Sequence, residues 1–316
     1  MDDAHLTPET GIEIAHPDAG APPALHGPPP PLPGPDDDVR PRMGGTPGSR
    51  RYFQGDKLPV TSSVLISNSK YLNNPYYREA FATQALRRHG HDLPTTYMVP
   101  ISARAIEEVT DADRKAQLVE EEKLKNPEFA EWLAERRYSD YTLESTAEYG
   151  PGTFGREIHE LLKIPGVKLD FTFAEKAEVM SDVEYMARRS QVSHDLEHII
   201  TGFGPNTAGE NALGMVNVTS SAHYFTPELA QLLTHGIMWV ATTGLYRTAL
   251  HYHHVLPTYL DAMQQGIKVG LSIKRPLFMT PWEDYLDWRL EDIAAHLGIE
   301  RGPGDVWGWT TEASCG

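Results

Sequence analysis

The sequence predicts an all-α protein: a single multi-helix domain behind a disordered, Pro-rich N-terminal tail. Helix-starting signals recur along the chain, at Asn74-Pro75, Asn126-Pro127, Ser181 and Thr226-Pro227. The runs that follow them carry apolar residues at helical spacing. Residues 1–50, by contrast, are rich in Pro and Gly and nearly free of large apolar side chains. Such a segment cannot offset its ordering entropy by burial.

Composition narrows the function classes. The chain has 316 residues, enough for one large domain, with 28 Lys+Arg against 44 Asp+Glu and a net charge of −16. That charge repels phosphate backbones and argues against nucleic acid as a partner. The one cysteine, Cys315, leaves no intrachain disulfide and no CxxC motif, which fits a reducing, cytoplasmic compartment. The N-terminal MDDAHLTPETG lacks the basic and apolar regions of a secretory leader. No apolar run reaches the roughly 18 residues of a membrane span.

Three regions are expected: a tail over 1–55, a helical domain over 56–301 with a motif-bearing core at 126–300, and a loose C-terminal tail at 302–316. Asn74 caps a first helix that continues to Gly90. A second, rich in Ala, Glu and Lys, covers roughly 102–124. Pro127 opens a third, with Phe129, Trp132 and Leu133 on one side. The glycines of GPGTFGREIHELL permit a tight turn before a helix from Thr153. That turn lacks a complete phosphate-loop pattern, so a structural turn is the expectation. Ser181 or Asp182 starts a helix that Gly202 ends, and Thr207 with Glu210 matches a capping box for the next. Pro227 opens a helix over 227–253 with Leu229, Leu232, Leu233, Ile237 and Val240 as its stripe. Thr280-Pro-Trp-Glu283 caps a last helix that packs Leu286, Leu290, Ile293 and Leu297 and stops at Gly298.

The chemistry-bearing stretch is HDLEHIITGFGPNTAGE, residues 194–210. His194 and His198, four apart, share a helix face. Val183, Ala187 and Ser190 precede them on the same stripe, which reads as core-facing. Asp195 lies about 100° round the helix, placed to ligate through a bend or to accept from an imidazole N–H. Glu210 comes from the next helix, where it either caps or ligates. Imidazole and carboxylate together suit a divalent metal, with zinc the first choice. A rival cluster, His251, His253 and His254, has spacing that scatters its side chains around a helix.

With these motifs in view, the chain resembles the coenzyme Q (ubiquinone) biosynthesis protein 4 family. The likeness rests on HDLEHIITGFGPNTAGE, on YMARRSQVSHD before it, on PGTFGREIHELL, and on RPLFMTPWEDYLDWRLEDIAAHLGI. Glu197 departs from it, standing where the family usually has an aromatic or apolar residue. The resemblance implies that His194, Asp195, His198 and Glu210 are the metal and catalytic residues. It implies a polyprenylated aromatic quinone precursor as ligand, other ubiquinone biosynthesis proteins as partners, and peripheral contact with the inner membrane (the matrix side in a eukaryote). A homodimer is a further expected assembly. The implied reaction is oxidative decarboxylation, in which a ring carboxylate gives way to hydroxyl. The competing readings are a non-catalytic scaffold that binds prenyl lipid and organises the biosynthetic complex, and a zinc hydrolase.

Overall fold

The computed structural model describes residues 69–88, 98–138, 141–165, 167, 169 and 180–315. The tail expected over 1–55 lies outside them. Twelve α-helices and no strand form among the described residues. They are α1 (Lys70–Asn73), α2 (Pro75–Leu86), α3 (Val99–Val109), α4 (Ala112–Lys125), α5 (Pro127–Glu135) and α6 (Phe154–Leu162). There follow α7 (Asp182–Thr201), α8 (Thr207–Tyr224), α9 (Pro227–His251), α10 (Leu256–Ser272), α11 (Leu290–Leu297) and α12 (Trp309–Cys315).

Caps decide most boundaries. Asn74, Asn126 and Thr153 each accept a hydrogen bond from the backbone N–H three residues on, starting α2, α5 and α6. The first helix ends at Leu86, where Arg87 is already extended; Gly90 lies outside the described residues. The single helix expected over 102–124 is two. Asp111 accepts from Arg114 N and restarts the chain as α4, after Thr110 turns extended. A local cap prevailed over helix-favouring composition.

The GPGTF turn is structural. Phe154 and Gly155, in the first turn of α6, donate their N–H groups to the carbonyls of Trp288 and Leu286, both at 2.8 Å. Those amides are therefore taken, and a phosphate would find no free donors there. The last predicted helix is also shorter. Trp282–Tyr285 forms a 3₁₀ turn, and α11 starts only at Leu290. Glu283 does not cap; it reaches back to α7. There Arg189, 1% exposed, donates to Glu283 Oε1 at 2.6 Å and to the Thr280 carbonyl at 2.6 Å. This buried, multiply bonded ion pair ties the 276–285 segment to the long helix.

Two larger hydrophobic clusters pack along α7, one against each half of its buried face. One joins Phe154, Ile158, Leu196, Ile200, Val216 and Ile293. The other joins Phe129, Trp132, Leu133, Tyr185, Leu229 and Phe278. Helix α10 lies against α8 at very short range. A Cβ on Gly266 would sit 2.1 Å from the Ala212 carbonyl oxygen, so only glycine permits that approach.

Residues 302–315, expected as a loose tail, instead fold. A 3₁₀ turn at Asp305–Trp307 leads into α12. Gly302 N and Gly304 N donate to the carbonyls of Thr201 and Gly202 at 2.7 and 2.8 Å. Trp307 stacks on Phe203 with ring centroids 6.0 Å apart. The glycines that look like disorder signals supply backbone contacts here.

Arg189→Ala is expected to destabilise the protein by about 3–5 kcal/mol, because Glu283 loses its buried partner. Urea unfolding of the variant beside the wild type measures this; a loss within error would show that the pair contributes nothing.

Candidate metal centre

The α7–α8 hairpin builds the centre. Ser181 and Glu184 form a complete capping box at the start of α7, and Gly202 in the left-handed region (φ 68°) ends it. The connection 202–206 then turns back sharply. A Cβ on Gly209 would lie 1.9 Å from the Gly204 carbonyl oxygen, so glycine sets the tightness of the turn.

The capping box expected from Thr207 and Glu210 does not form. Asn206 caps α8 instead, its Oδ1 accepting from Gly209 N at 3.0 Å. This shifts the helix start by one residue and leaves the Glu210 carboxylate unused by the backbone. It faces α7: Glu210 Oε2 is 3.4 Å from His194 Nε2, and Oε1 is 3.3 Å from His198 Nε2.

One donor atom from each of His194, His198 and Glu210 lies within 4.8 Å of the others. Asp195 stands outside this group, with its Oδ1 3.1 Å from His194 Nδ1. The carboxylate on Nδ1 directs Nε2 toward Glu210. His198 is oriented by the backbone, donating from Nδ1 to the Phe203 carbonyl at 2.6 Å. Its buried Nε2 makes no hydrogen bond. With Nδ1 as its donor, the imidazole presents Nε2 to a carboxylate oxygen and no hydrogen bond joins the two. A cation between them satisfies both, and the imidazole–carboxylate donor set suits a divalent metal.

Without a cation, these groups pair with one another. Burial opposes protonation of His194, but hydrogen bonds to Asp195 and Glu210 outweigh it and push the group up to about 10. Burial likewise works against the Glu210 carboxylate, yet the two imidazoles hold it well below the usual range. Glu197, 2% exposed, is pushed up to about 7 by burial, with Asn217 and the imidazoles opposing.

Of the stripe preceding the histidines, only Val183 packs against the core. Val183, Ala187 and Ser190 line a cavity of about 160 Å³, closed on its other sides by Leu233, Ile237 and Phe278. Ala187 and Ser190 are exposed, while the buried face of α7 runs through Met186, Arg189, Val192, Leu196 and Ile200. Asn217, Ser221 and Lys115 add polar groups to its wall. Periodicity on α7 showed a stripe without showing what it faced. The histidines at 251–254 form no centre: His251 Nε2 bonds the Leu86 carbonyl at 2.7 Å, and His254 sits beside Trp309.

In the metal-free protein, the His194–Glu210 pair stabilises the fold over a defined window. The depressed Glu210 contributes above its ordinary value of 4.5, and the raised His194 contributes fully below 6.5 and loses its share as pH rises through about 10. The melting-temperature gap between wild type and His194→Ala is therefore expected to be widest between 4.5 and 6.5 and to close toward 10. A gap that widens with pH would contradict this.

Known proteins resemble this chain in sequence and in fold. The family model of the coenzyme Q (ubiquinone) biosynthesis protein Coq4 aligns with residues 105–303 and so spans the whole centre. The crystal structure of a candidate ubiquinone biosynthesis protein from Nostoc punctiforme superposes with a TM-score of 0.52 at 21% identity, over 71% of this chain and 95% of that one. At that identity the likeness bears on the fold. No curated protein matches the chain. With more than half its length inside the family model, and the histidine–carboxylate hairpin within that span, the chain belongs to the Coq4 family of coenzyme Q (ubiquinone) biosynthesis proteins.

Proposed function

We propose that this chain is a metal-dependent enzyme that replaces a carboxylate with a hydroxyl on a polyprenylated hydroxybenzoate-type ring. The carrying observation is the buried His198 Nε2, which faces Glu210 with no proton donor between them. His194, His198 and Glu210 hold the cation, with zinc the first choice, and Asp195 orients His194. When bound, the metal supplies positive charge that holds and neutralises the ring carboxylate. In the net change the ring carbon–carboxylate bond breaks and carbon dioxide leaves, a ring carbon–oxygen bond forms with the oxygen of water, and the two electrons removed reduce dioxygen to hydrogen peroxide. Glu210 and His194 are partly exposed, which leaves the centre a side open to substrate. A cavity along the part of α7 that precedes the histidines, at about 160 Å³, compares with cavities of about 150 Å³ that admit a benzene-sized ligand. Met186, Leu233 and Phe278 on its wall suit the apolar part of such a ring.

Wild-type protein is expected to carry about one equivalent of divalent metal, and His198→Ala to lose it with a small change in melting temperature. Turnover of a ring-carboxylated substrate under dioxygen should vanish in His198→Ala and Glu210→Ala. Full activity in both variants would remove the site assignment. If stability and complex assembly collapsed together and purified protein never turned over substrate, the metal would serve to staple two helices in a scaffold.

Contact with a membrane, and through it with other ubiquinone biosynthesis proteins, belongs to the same reading. No helix among the described residues is long and apolar enough to cross a bilayer. Helix α9 exposes Met238, Val240, Tyr246 and Leu250, and α10 exposes Leu260, Ile267 and Leu271. These faces support peripheral docking at the inner membrane, or a homodimer. The protein is expected to float with uncharged liposomes, and replacing Leu250 and Leu271 by Glu should leave it in the soluble fraction. A wild-type protein that stays soluble would sink the membrane reading.

A further inference from the structure

The C-terminal segment reaches both helices that supply the metal donors. On the α7 side it holds the peptide that orients His198. Gly302 N and Gly304 N donate to the carbonyls of Thr201 and Gly202, at 2.7 and 2.8 Å. Trp307, 6% exposed, lies flat on the Phe203 ring, with 4° between the planes. The carbonyl of that same Phe203 takes the Nδ1 proton of His198 at 2.6 Å. A shift of the segment therefore moves the acceptor that sets the rotation of the imidazole.

On the α8 side the segment supplies acceptors to the helix start. The amides of Thr207, Ala208 and Gly209 have no acceptor inside their own helix. Asn206 takes that of Gly209. Thr311 Oγ1 accepts from Thr207 N at 2.9 Å, and Thr310 Oγ1 accepts from Ala208 N at 3.2 Å. Thr310 and Ala208 are both fully buried, and the Thr310 hydroxyl donates to the Trp307 carbonyl at 2.7 Å. That bond leaves an oxygen lone pair to face α8. Without it the Ala208 amide would be buried unpaired, and the first turn of α8 would open more readily. Glu210 stands at the end of that turn, so opening it carries the carboxylate away from the imidazoles.

We propose that residues 302–311 form a strap whose docking is thermodynamically linked to metal binding. Thr310 is the positioning residue for Glu210, and Trp307 is the one for His198. This rests on the metal reading above. Residues 304–311 of the strap lie beyond the stretch aligned with the family. A cation shared by His198 and Glu210 ties α8 to α7 and so favours the docked strap. The docked strap, in turn, presents both donors already placed. Linkage makes the two effects equal in size.

The test reads zinc affinity of the full-length protein, by competition with a chromophoric chelator well below the melting transition. Thr310→Val keeps the side chain's shape and loses the acceptor; it should bind zinc about tenfold more weakly. Thr310→Ser keeps the hydroxyl and should bind as wild type does. The rise in melting temperature on adding zinc should shrink in Thr310→Val. A residue with a merely structural role would lower the melting temperature equally with and without zinc and leave zinc affinity unchanged. That result overturns the strap and leaves the metal reading standing. Hydrogen exchange on wild-type protein decides the matter even where Thr310→Val does not fold. Zinc should slow exchange of the Gly302 and Gly304 amides about tenfold, and should have no effect on them in His198→Ala. Wild-type protein that binds zinc with no change in exchange there also overturns the strap. Wild-type protein that binds no zinc overturns the metal reading and this inference with it.

Discussion

Everything at the centre depends on how tightly the chain reverses between α7 and α8. Gly209 packs its Cα against the Gly204 carbonyl, where a methyl group would lie 1.9 Å from oxygen. The Phe203 carbonyl points inward and takes the Nδ1 proton of His198 at 2.6 Å. The C-terminal segment closes over the outside of the same turn, through Gly302, Gly304 and Trp307. Thr310 and Thr311 accept from the N–H groups of Ala208 and Thr207, which would otherwise be unpaired at the start of α8. A turn braced from both sides holds Glu210 opposite two imidazoles without help from its own flexible side chain.

That bracing explains why so acidic a chain can concentrate charge at one place. His194, Asp195, Glu197, His198 and Glu210 lie within one hairpin, and each has a defined neighbour. Asp195 orients His194, Phe203 orients His198, and Asn217 holds Glu197. Side chains whose second polar atom is already engaged lose less freedom on binding a ligand, which is what preorganisation means physically. His194, His198 and Glu210 gather at the closed end of the hairpin, Glu197 and Asn217 bond across its middle, and the cavity lies along the parts of α7 and α8 farther from the turn.

The surrounding helices keep that cavity from collapsing. On the far face of α7, Arg189 and Glu283 exchange charge-assisted hydrogen bonds and fix the 276–285 segment. On the far face of α8, Gly266 brings α10 against the backbone. With the outer faces of both helices committed to the core, their facing surfaces at Ala187, Ser190 and Asn217 stay apart. The opening between the helices is therefore a product of packing elsewhere.

The sequence by itself determined the helices and the donors. Periodicity and caps located α5, α6, α7 and α9 to within a few residues, because a cap is a local hydrogen bond between neighbours in the chain. The pairing of His194 with His198 was legible for the same reason: helical geometry alone puts them on one face. Only the tertiary structure decided the rest. Whether Glu210 caps or faces α7 turned on Asn206 taking the cap, a competition between two neighbouring residues that each fit the position. That Asp195 bonds His194 Nδ1 and stands outside the His194–His198–Glu210 group depended on rotamers. That Val183, Ala187 and Ser190 line a cavity depended on which helices lie opposite, and that residues 302–315 brace the turn depended on contacts with residues about a hundred positions earlier. Spacing along a chain specifies local hydrogen bonds; which surfaces meet is set by packing that no single stretch encodes.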